Sequence, residues 1–199
     1  MGKYLDWKED AEASVRAFYA AVGQGTVAKI LSGTVHQVEQ IDHKILVMMD
    51  VTAGIDYIRE NKQGLQGVAW RAQWNDGKPG YPYNTWSIRW ERCTGGETEG
   101  PKRIRQIKNG YLYPYLTMQG YFSTREENQC TSIGICRTQD LYQYIKTGGG
   151  HQNRSDNLFT WVSWLELKTF GYPVSFWPKG TNNITQKKDL PDFAAFLNL

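Results

Sequence analysis

The sequence predicts an α+β fold, with an α-β-β-β-α-β core in which helices flank a mostly antiparallel central sheet. Three observations lead to this fold class. Apolar residues recur at helical spacing over residues 7–31, apolar and polar residues alternate with the period of a β-strand between 50 and 91, and helix-capping residues bracket residues 98–110. Helical and extended segments therefore follow one another along the first part of the chain.

The length of the chain, 199 residues, favours a single domain. We expect residues 1–199 to form that domain, with a core over about 10–122 and a C-terminal embellishment over about 123–199. Aromatic residues make up 14% of the chain, including 8 Trp and 12 Tyr, which is more than a small core needs. Some of these rings should therefore remain exposed, as stacking platforms, as part of an interface, or as anchors of long loops.

Charge and cysteine content narrow the functional classes. The net charge of +3 allows a polyanionic partner without requiring one. Cys93, Cys130 and Cys136 are odd in number, and their spacing matches no common zinc pattern. No cationic leader precedes an apolar run, so we expect a reducing, cytoplasmic compartment. No segment approaches about 18 consecutive apolar residues, so no membrane span is expected.

The first predicted element is helical. One helix or two should extend from Trp7 to about Leu31, interrupted near residues 23–25 by two glycines. The apolar positions that define its buried face are Ala11, Val15, Phe18, Tyr19 and Val22.

Extended segments follow this helical region. Residues 34–42 have a β-compatible mixed pattern, and residues 44–58 predict a strand or a bent pair of strands. The segments 67–74 and 85–91 alternate apolar and polar side chains, which predicts two further strands of the same meander. Turn residues over 75–82 separate them.

Asp56 is the most informative residue of this region, because it precedes a turn predicted at residues 61–64. A hairpin with that turn would place Asp56 within diagonal reach of Arg71. Side-chain alternation then places Asp50 on the same face as Asp56, and Gln73 on the same face as Arg71. The sequence therefore predicts acids, an arginine and an amide on one sheet face.

The segment 85–91 presents a similar polar face, formed by Arg89 and Glu91. Two interpretations of these faces remain open. Half-buried antiparallel sheets commonly carry a solvated outer face. Three successive faces with acids and long hydrogen-bonding side chains instead indicate a gathered site.

Later segments predict alternating helices and strands. Thr98 or Glu99 as the N-cap, Pro101 in the first turn and Gly110 after the last turn delimit a helix with a basic face. The remaining predicted elements are a strand over 111–122 whose first part is weakened by Pro114, a helix over 138–146, a strand over 158–167, an aromatic loop over 171–180 and a small helix over 190–199.

This order of elements, together with Asp56 before the hairpin, resembles the core of the PD-(D/E)XK nucleases over roughly residues 10–122. In that family an aspartate and a later E-x-K strand bind magnesium beside the scissile phosphate. The resemblance implies a nucleic-acid-processing protein. It would be a metal-dependent, nuclease-like phosphodiesterase with Mg²⁺ as its cofactor and DNA or RNA as its partner, encoded by a phage or another mobile element.

Only Asp56 matches a ligand of that family residue by residue. The E-x-K positions fall on Arg71-Ala72-Gln73, which keeps the alternation but lacks the carboxylate and the lysine. One carboxylate and an amide hold a hard cation weakly. The resemblance therefore implies that the metal ligands are Asp56 and Asp50, helped by Glu91 or Glu39 from neighbouring strands.

The other roles follow from hydrogen-bonding chemistry. In the expected catalytic set, Asp56 and Asp50 hold the ion, Gln73 orients water or metal, and Arg71 grips the phosphate. Arg89 is expected to bind substrate in the same way, because planar guanidinium groups donate paired hydrogen bonds to phosphate oxygens. The basic helix adds three candidate substrate-binding residues, with a solvated helix face as the alternative: Lys102, Arg103 and Arg105.

A second match to the family formula, Asp156 followed by Glu166-Leu167-Lys168, is not expected to form a site. Residues 157–165 contain no turn signal, and a continuous strand at about 3.3 Å per residue would separate Asp156 from Glu166 by roughly 33 Å. We therefore expect Glu166 and Lys168 on the solvated face of that strand.

Two alternatives to an enzyme remain open. A non-catalytic nucleic-acid-binding module would use the arginines and exposed aromatic residues, such as those of the run 111–115, to grip a strand without cutting it. An interaction protein, such as an inhibitor or a homo-oligomeric structural subunit, would use the Trp- and Tyr-rich surface as its interface.

Overall fold

The computed structural model describes residues 7–37, 44–45, 48–74, 85–126, 128–154 and 157–178. Helices pack against two β-sheets, which confirms the predicted α+β class. The predicted loop over 75–82, Asp156, Glu39 and the predicted helix over 190–199 lie outside the described residues.

The helices described in full are α1 (Trp7–Gly23), α2 (Glu99–Asn109), α3 (Thr138–Lys146) and α4 (Trp164–Thr169). A 3₁₀-helical turn spans Val27–Lys29 and a π-helical segment spans Met48–Ala53. The predicted interruption of the N-terminal helical region is confirmed by the end of α1 at Gly23. In the described part of the chain, no helix combines the length and apolar character needed to cross a membrane.

The strands are β1 (Thr34–Gln37), β2 (Tyr57–Asn61), β3 (Gly64–Trp74), β4 (Thr85–Glu91), β5 (Leu116–Phe122), β6 (Cys130–Arg137), β7 (His151–Arg154), β8 (Leu158–Ser163) and β9 (Val174–Trp177). The larger sheet has the order β1-β2-β3-β5-β6-β9, and the smaller sheet has the order β4-β8-β7. β3 and β5 run parallel, while the other pairs are antiparallel. A parallel pair requires a crossover, and this one contains α2.

Helix α1 packs on one face of the larger sheet. The ring of Phe18 stacks on Tyr57 with centroids 3.5 Å apart and meets Trp70 edge-on at 5.1 Å. Ala17 and Ala21 are fully buried, so the helix approaches the sheet closely. The core on this face also contains Val68, Met118, Phe122, Ile133 and Ile135. Because strand side chains alternate, the polar residues of β3 must point to the opposite face.

That opposite face is covered by the smaller sheet and by helices that follow β3 in the chain. Trp86 and Ile88 from β4 pack with Tyr121 from β5, and Leu141 from α3 and Trp164 from α4 complete this second core. A buried layer between the two sheets therefore surrounds the polar side chains of β3 and β5.

The predicted hairpin is confirmed. Tyr57 pairs with Val68 and Asn61 pairs with Gly64, which leaves residues 62–63 as the turn. The Asn61 side chain supports this turn by accepting a 2.8 Å hydrogen bond from the N–H of Gln63. The register places Asp56 immediately before β2 and next to the middle of β3.

The predicted helix over 98–108 is confirmed as α2, with one difference at its start. Gly110 follows the helix with φ of +66°, which is the left-handed conformation that glycine adopts most easily. Thr98 does not cap the helix through its side chain, because its hydroxyl donates to the carbonyl of Trp90 at 2.5 Å. This bond ties the start of α2 to the end of β4.

Three of the strand predictions that follow the hairpin differ from the structure. The bounds of β4 agree, but its predicted place in the meander is wrong, because Thr85 pairs with Ser163 in the smaller sheet. The strand predicted over 111–122 begins only at Leu116, after Pro114, which lacks the N–H that a ladder needs. The strand predicted over 158–167 ends at Ser163, where the chain enters α4.

Candidate functional site

A cleft of about 520 Å³ lies between the second half of β3, the segment before β2 and the first turn of α2. Four residues expected to act together, Asp50, Asp56, Arg71 and Gln73, all line it. Among the described residues, the charged lining comprises four acids and four bases: Asp50, Asp56, Glu97, Glu99, Arg71, Arg92, Lys102 and Arg103. The cleft is therefore nearly neutral overall but contains closely spaced groups of both signs.

The backbone of β3 holds Asp56 in the cleft. Oδ2 of Asp56 accepts a 2.7 Å hydrogen bond from the N–H of Trp70, and the N–H of Asp56 donates to the carbonyl of Val68 at 3.0 Å. Burial raises the pKa of the Asp56 carboxyl to about 7, although the bond from Trp70 and the nearby Arg71 oppose the shift. Asp56 therefore exchanges a proton near neutral pH.

Asp50 reaches the cleft by a different route from the predicted one. The prediction of a strand over 44–58 is wrong between Met48 and Ala53, because this segment is π-helical and side-chain alternation does not apply to it. The chain reverses at Gly54, whose N–H donates to the carbonyl of Asp50 at 2.7 Å. The charge of Asp50 is close enough to contribute, after burial, to the raised pKa of Asp56.

Helix α2 fastens the π-helical segment in place. Side chains of α2 donate hydrogen bonds to three successive backbone carbonyls of that segment: Lys102 to Val51 at 2.5 Å, Gln106 to Thr52 at 2.6 Å, and Arg103 to Ala53. Gly54 completes the contact, because a Cβ at this position would overlap the guanidinium of Arg103. The position of Asp50 thus depends on a helix that lies far from it in the sequence.

Arg103 is a positioning residue. Sequence analysis grouped it with the substrate-binding cations of a basic helix face, but only 2% of it is exposed. Besides Ala53, its Nη1 donates to Oε1 of Gln106 at 2.9 Å, and its guanidinium also bonds the hydroxyl of Tyr142. Burial lowers the pKa of Arg103, and Tyr142 and Asp56 oppose this shift.

Glu99 is a site residue that the sequence pattern did not indicate, because the pattern identifies it only as the start of a helix. Oε2 of Glu99 accepts a hydrogen bond from Nη2 of Arg71, and its Oε1 lies 3.8 Å from Nη2 of Arg103. Burial lowers the pKa of Arg71. One signal in the sequence could have identified the pair of Arg71 and Glu99. The strand carries a basic residue on its polar face, and the first turn of the helix that crosses over from it carries an acid.

Gln73 is fixed by a second amide. Nε2 of Gln119 donates to Oε1 of Gln73 at 2.7 Å and to the carbonyl of Thr85 at 3.2 Å. Gln119 lies on β5 opposite Arg71 and is 2% exposed, while its own Oε1 has no hydrogen-bond partner among the described residues. The amide of Gln73 therefore has a defined orientation at the wall of the cleft.

Three predicted site residues do not line the cleft. The guanidinium of Arg89 lies 5.4 Å from the centre of the Phe159 ring. Burial and then the charge of Arg103 lower the pKa of Arg71, and the charge of Arg89 adds a smaller effect in the same direction. Glu91 is exposed at the end of β4. Its role as a ligand of the same metal stays a prediction, and β4, which carries it, belongs to the smaller sheet. Arg105 is exposed on α2, with its Nη2 2.6 Å from Oε2 of Glu97.

Glu166 is buried, which corrects the expectation that it lies on a solvated face. It is 5% exposed, accepts a hydrogen bond from the hydroxyl of Tyr144, and lies 3.2 Å from Nε2 of His151. The start of α4 after Ser163 turns this side chain inward. Lys168 is exposed as expected.

The donor groups of the cleft determine which metal ions it can hold. Within the described ranges, no three His, Cys, Asp or Glu side chains form a group that could hold a metal ion. Mg²⁺, however, commonly uses one or two carboxylates and completes its shell with water and substrate phosphate. Asp50 and Asp56 fit this smaller requirement, because both carboxyl-bearing residues line the cleft and a cation between them would offset the repulsion of their charges.

Comparison with known proteins gave no relative for this chain: no family model, no curated protein and no solved structure matches it.

Proposed function

We propose that this chain is a nucleic-acid-processing protein and that the cleft is the site of a metal-dependent phosphodiesterase of the PD-(D/E)XK type. One observation supports the proposal most strongly. Asp50 and Asp56 lie in one cleft with Arg71, at the hairpin beside a parallel strand pair that α2 connects. Two carboxylates suit a divalent cation, and a guanidinium suits the oxygens of a phosphodiester.

In this proposal each residue of the cleft has a separate role. Asp50 and Asp56 would hold Mg²⁺, which when bound supplies positive charge to the phosphate and lowers the pKa of a bound water. Arg71 would donate paired hydrogen bonds to the phosphate oxygens. Glu99 orients Arg71 before substrate arrives, and the fixed amide of Gln73 would orient water. Lys102, on the rim, would bind a neighbouring phosphate.

A binding module without catalysis is the second candidate, and a specific observation favours it. The E-x-K positions hold Arg71-Ala72-Gln73, so the carboxylate and the lysine of that pattern are both replaced. A site that grips phosphate through guanidinium groups without a third carboxylate binds nucleic acid without cutting it.

Incubation with labelled single- and double-stranded DNA and RNA in the presence of Mg²⁺, Mn²⁺ or EDTA separates the two candidates. An enzyme cuts with metal and not with EDTA, and Asp56→Asn abolishes cutting. The matched control, Glu12→Gln on the exposed face of α1, should cut like the parent. Salt-sensitive binding without cutting favours the module. Cutting that survives in Asp56→Asn contradicts the site, and the absence of both binding and cutting contradicts the proposed function.

A further inference from the structure

We infer that the outer face of α2 and the loop that follows it form a track for single-stranded nucleic acid leading out of the cleft. The track consists of Lys102, Arg105 and Lys108, followed by the exposed side chains of Tyr111, Leu112 and Tyr115. This inference rests on the proposed function and adds the form of the substrate and the direction in which it leaves the site.

The cations lie on one side of α2. Their spacing of three residues places them in a stripe along the helix that begins at Lys102 beside the cleft, and the buried Arg103 lies on the opposite side. Lys102 lines the cleft, and Arg105 and Lys108 are exposed. Lys102 and Lys108 are six residues apart, so the stripe extends for about 9 Å along the helix axis. A row of cations at this spacing follows a phosphate backbone rather than a single phosphate.

The loop after α2 presents its aromatic side chains to solvent. Tyr111 is 58% exposed, Leu112 is 50% exposed and Tyr115 is 46% exposed. Three large side chains that remain this exposed within five residues suit a binding surface. Bases of an unpaired strand stack on such rings, whereas the base faces of a duplex are already covered by neighbouring base pairs.

The backbone of this loop is fixed, so the exposure of the rings is a property of the fold. The N–H of Tyr111 donates to the carbonyl of Gln106 at 2.9 Å, and the N–H of Thr138 donates to the carbonyl of Tyr115 at 3.0 Å. Pro114 is buried between them. The backbone of the loop is already held at both ends and at Pro114. Little further conformational entropy of the backbone is therefore lost when a base stacks on the tyrosine rings.

One acid competes with the substrate for the stripe. Oε2 of Glu97 lies 2.6 Å from Nη2 of Arg105, and a phosphate that binds Arg105 must displace it. Removal of the Glu97 charge should therefore strengthen binding of a strand. This expectation distinguishes a phosphate track from a helix face that is merely solvated.

The test measures the affinity of the full chain for fluorescent single-stranded DNA and RNA and for duplex DNA by anisotropy at fixed salt. The double substitution Tyr111→Ala/Tyr115→Ala should weaken single-strand binding by roughly tenfold or more, since each stacked base contributes substantially to affinity. Duplex affinity should change less than about twofold. Tyr19→Ala, at an exposed tyrosine on α1, is the control and should change neither affinity.

The charge stripe is tested separately by salt dependence. Lys108→Gln should lower the slope of log affinity against log salt by about 0.7 for a single strand, while Lys62→Gln in the hairpin turn should leave it unchanged. Glu97→Gln should raise affinity. Circular dichroism with thermal melting verifies that each variant is folded.

The possible failures are distinguishable. If the parent binds or cuts nucleic acid but the tyrosine double variant binds single strands as the parent does, the track is wrong and the proposed function stands. Equal losses for single strands and duplex also overturn the track, because stacking on unpaired bases would not be the cause. If the parent neither binds nor cuts any nucleic acid, both proposals fail.

Discussion

Asp56 accepts a 2.7 Å hydrogen bond from the backbone N–H of Trp70, and this bond fixes the acid against the middle of β3. The carboxyl lines the cleft and is partly buried there, and burial raises its pKa to about 7. Asp56 is therefore held in place by the sheet at a cost to its charged form.

This pKa predicts how stability depends on pH. The folded pKa of about 7 lies above the unfolded value of 3.8, so the folded protein binds the proton more tightly. Its stabilising effect is fully present below pH 3.8 and is lost as the pH rises through about 7. Asp56→Asn, which cannot ionise, should be more stable than the parent at pH 8 by at least about 1 kcal/mol, with a smaller difference at pH 5. Urea unfolding at both pH values measures this, and an equal difference at both would refute it.

Gly54 should be more sensitive to substitution than a glycine of similar conformation elsewhere. Gly54 has φ of +66° and its Cβ would overlap the Arg103 guanidinium, whereas Gly95 has φ of +75° and nothing within 4 Å of its Cβ position. Gly95→Ala should lower the free energy of unfolding by only about 1 kcal/mol, which is the strain of alanine in the left-handed conformation. Gly54→Ala should lose this amount and at least about 1 kcal/mol more, because Arg103 must move. Denaturant unfolding compares the two, and equal losses would show that Arg103 is not rigidly placed.

Arg103 and Arg105 provide a second matched pair, two residues apart on α2. Arg103→Met removes a buried guanidinium and leaves the carbonyl of Ala53 and Oε1 of Gln106 without their donor, so it should destabilise by about 3–5 kcal/mol. Arg105→Met breaks only an exposed ion pair with Glu97 and should change stability by less than about 1 kcal/mol. Similar effects at the two positions would contradict the positioning role of Arg103.

The buried carboxylate of Glu166 depends on Tyr144. Tyr144→Phe should destabilise by about 1–3 kcal/mol, because it leaves a buried carboxylate oxygen without its donor. In a Glu166→Gln background the same substitution should have a smaller effect, since the bond is no longer charge-assisted. Tyr111→Phe, at an exposed hydroxyl, is the control and should have little effect. A double-mutant cycle by chemical denaturation measures the coupling, and additive effects would refute it.

Local signals were sufficient for most elements. Turn residues at 61–64 and alternation on either side predicted the β2–β3 hairpin, because both signals lie within one short segment. Pro101 and Gly110 predicted the bounds of α2 for the same reason. The prediction that Asp56, Arg71 and Gln73 share one region follows from this hairpin, since alternation and register are local properties.

Contacts between segments far apart in the sequence could not be predicted from the pattern of apolar and polar residues. Alternation in residues 85–91 identifies a strand but not its partner, and β4 pairs with β8 some seventy residues later in the chain. Arg89 and Glu91 do not share a sheet face with the polar residues of β3 for this reason. Glu99 was missed because its contact with Arg71 arises only when α2 crosses over the sheet.

By itself, the sequence determined the α+β class, the hairpin before which Asp56 lies, and the helix that follows β4. Only the tertiary structure decided that a π-helical turn brings Asp50 to the same cleft, that Arg103 is buried beneath it, and that Glu99 pairs with Arg71. Periodicity and capping act over a few residues, whereas these contacts depend on how distant elements pack, and packing is set by the whole chain at once.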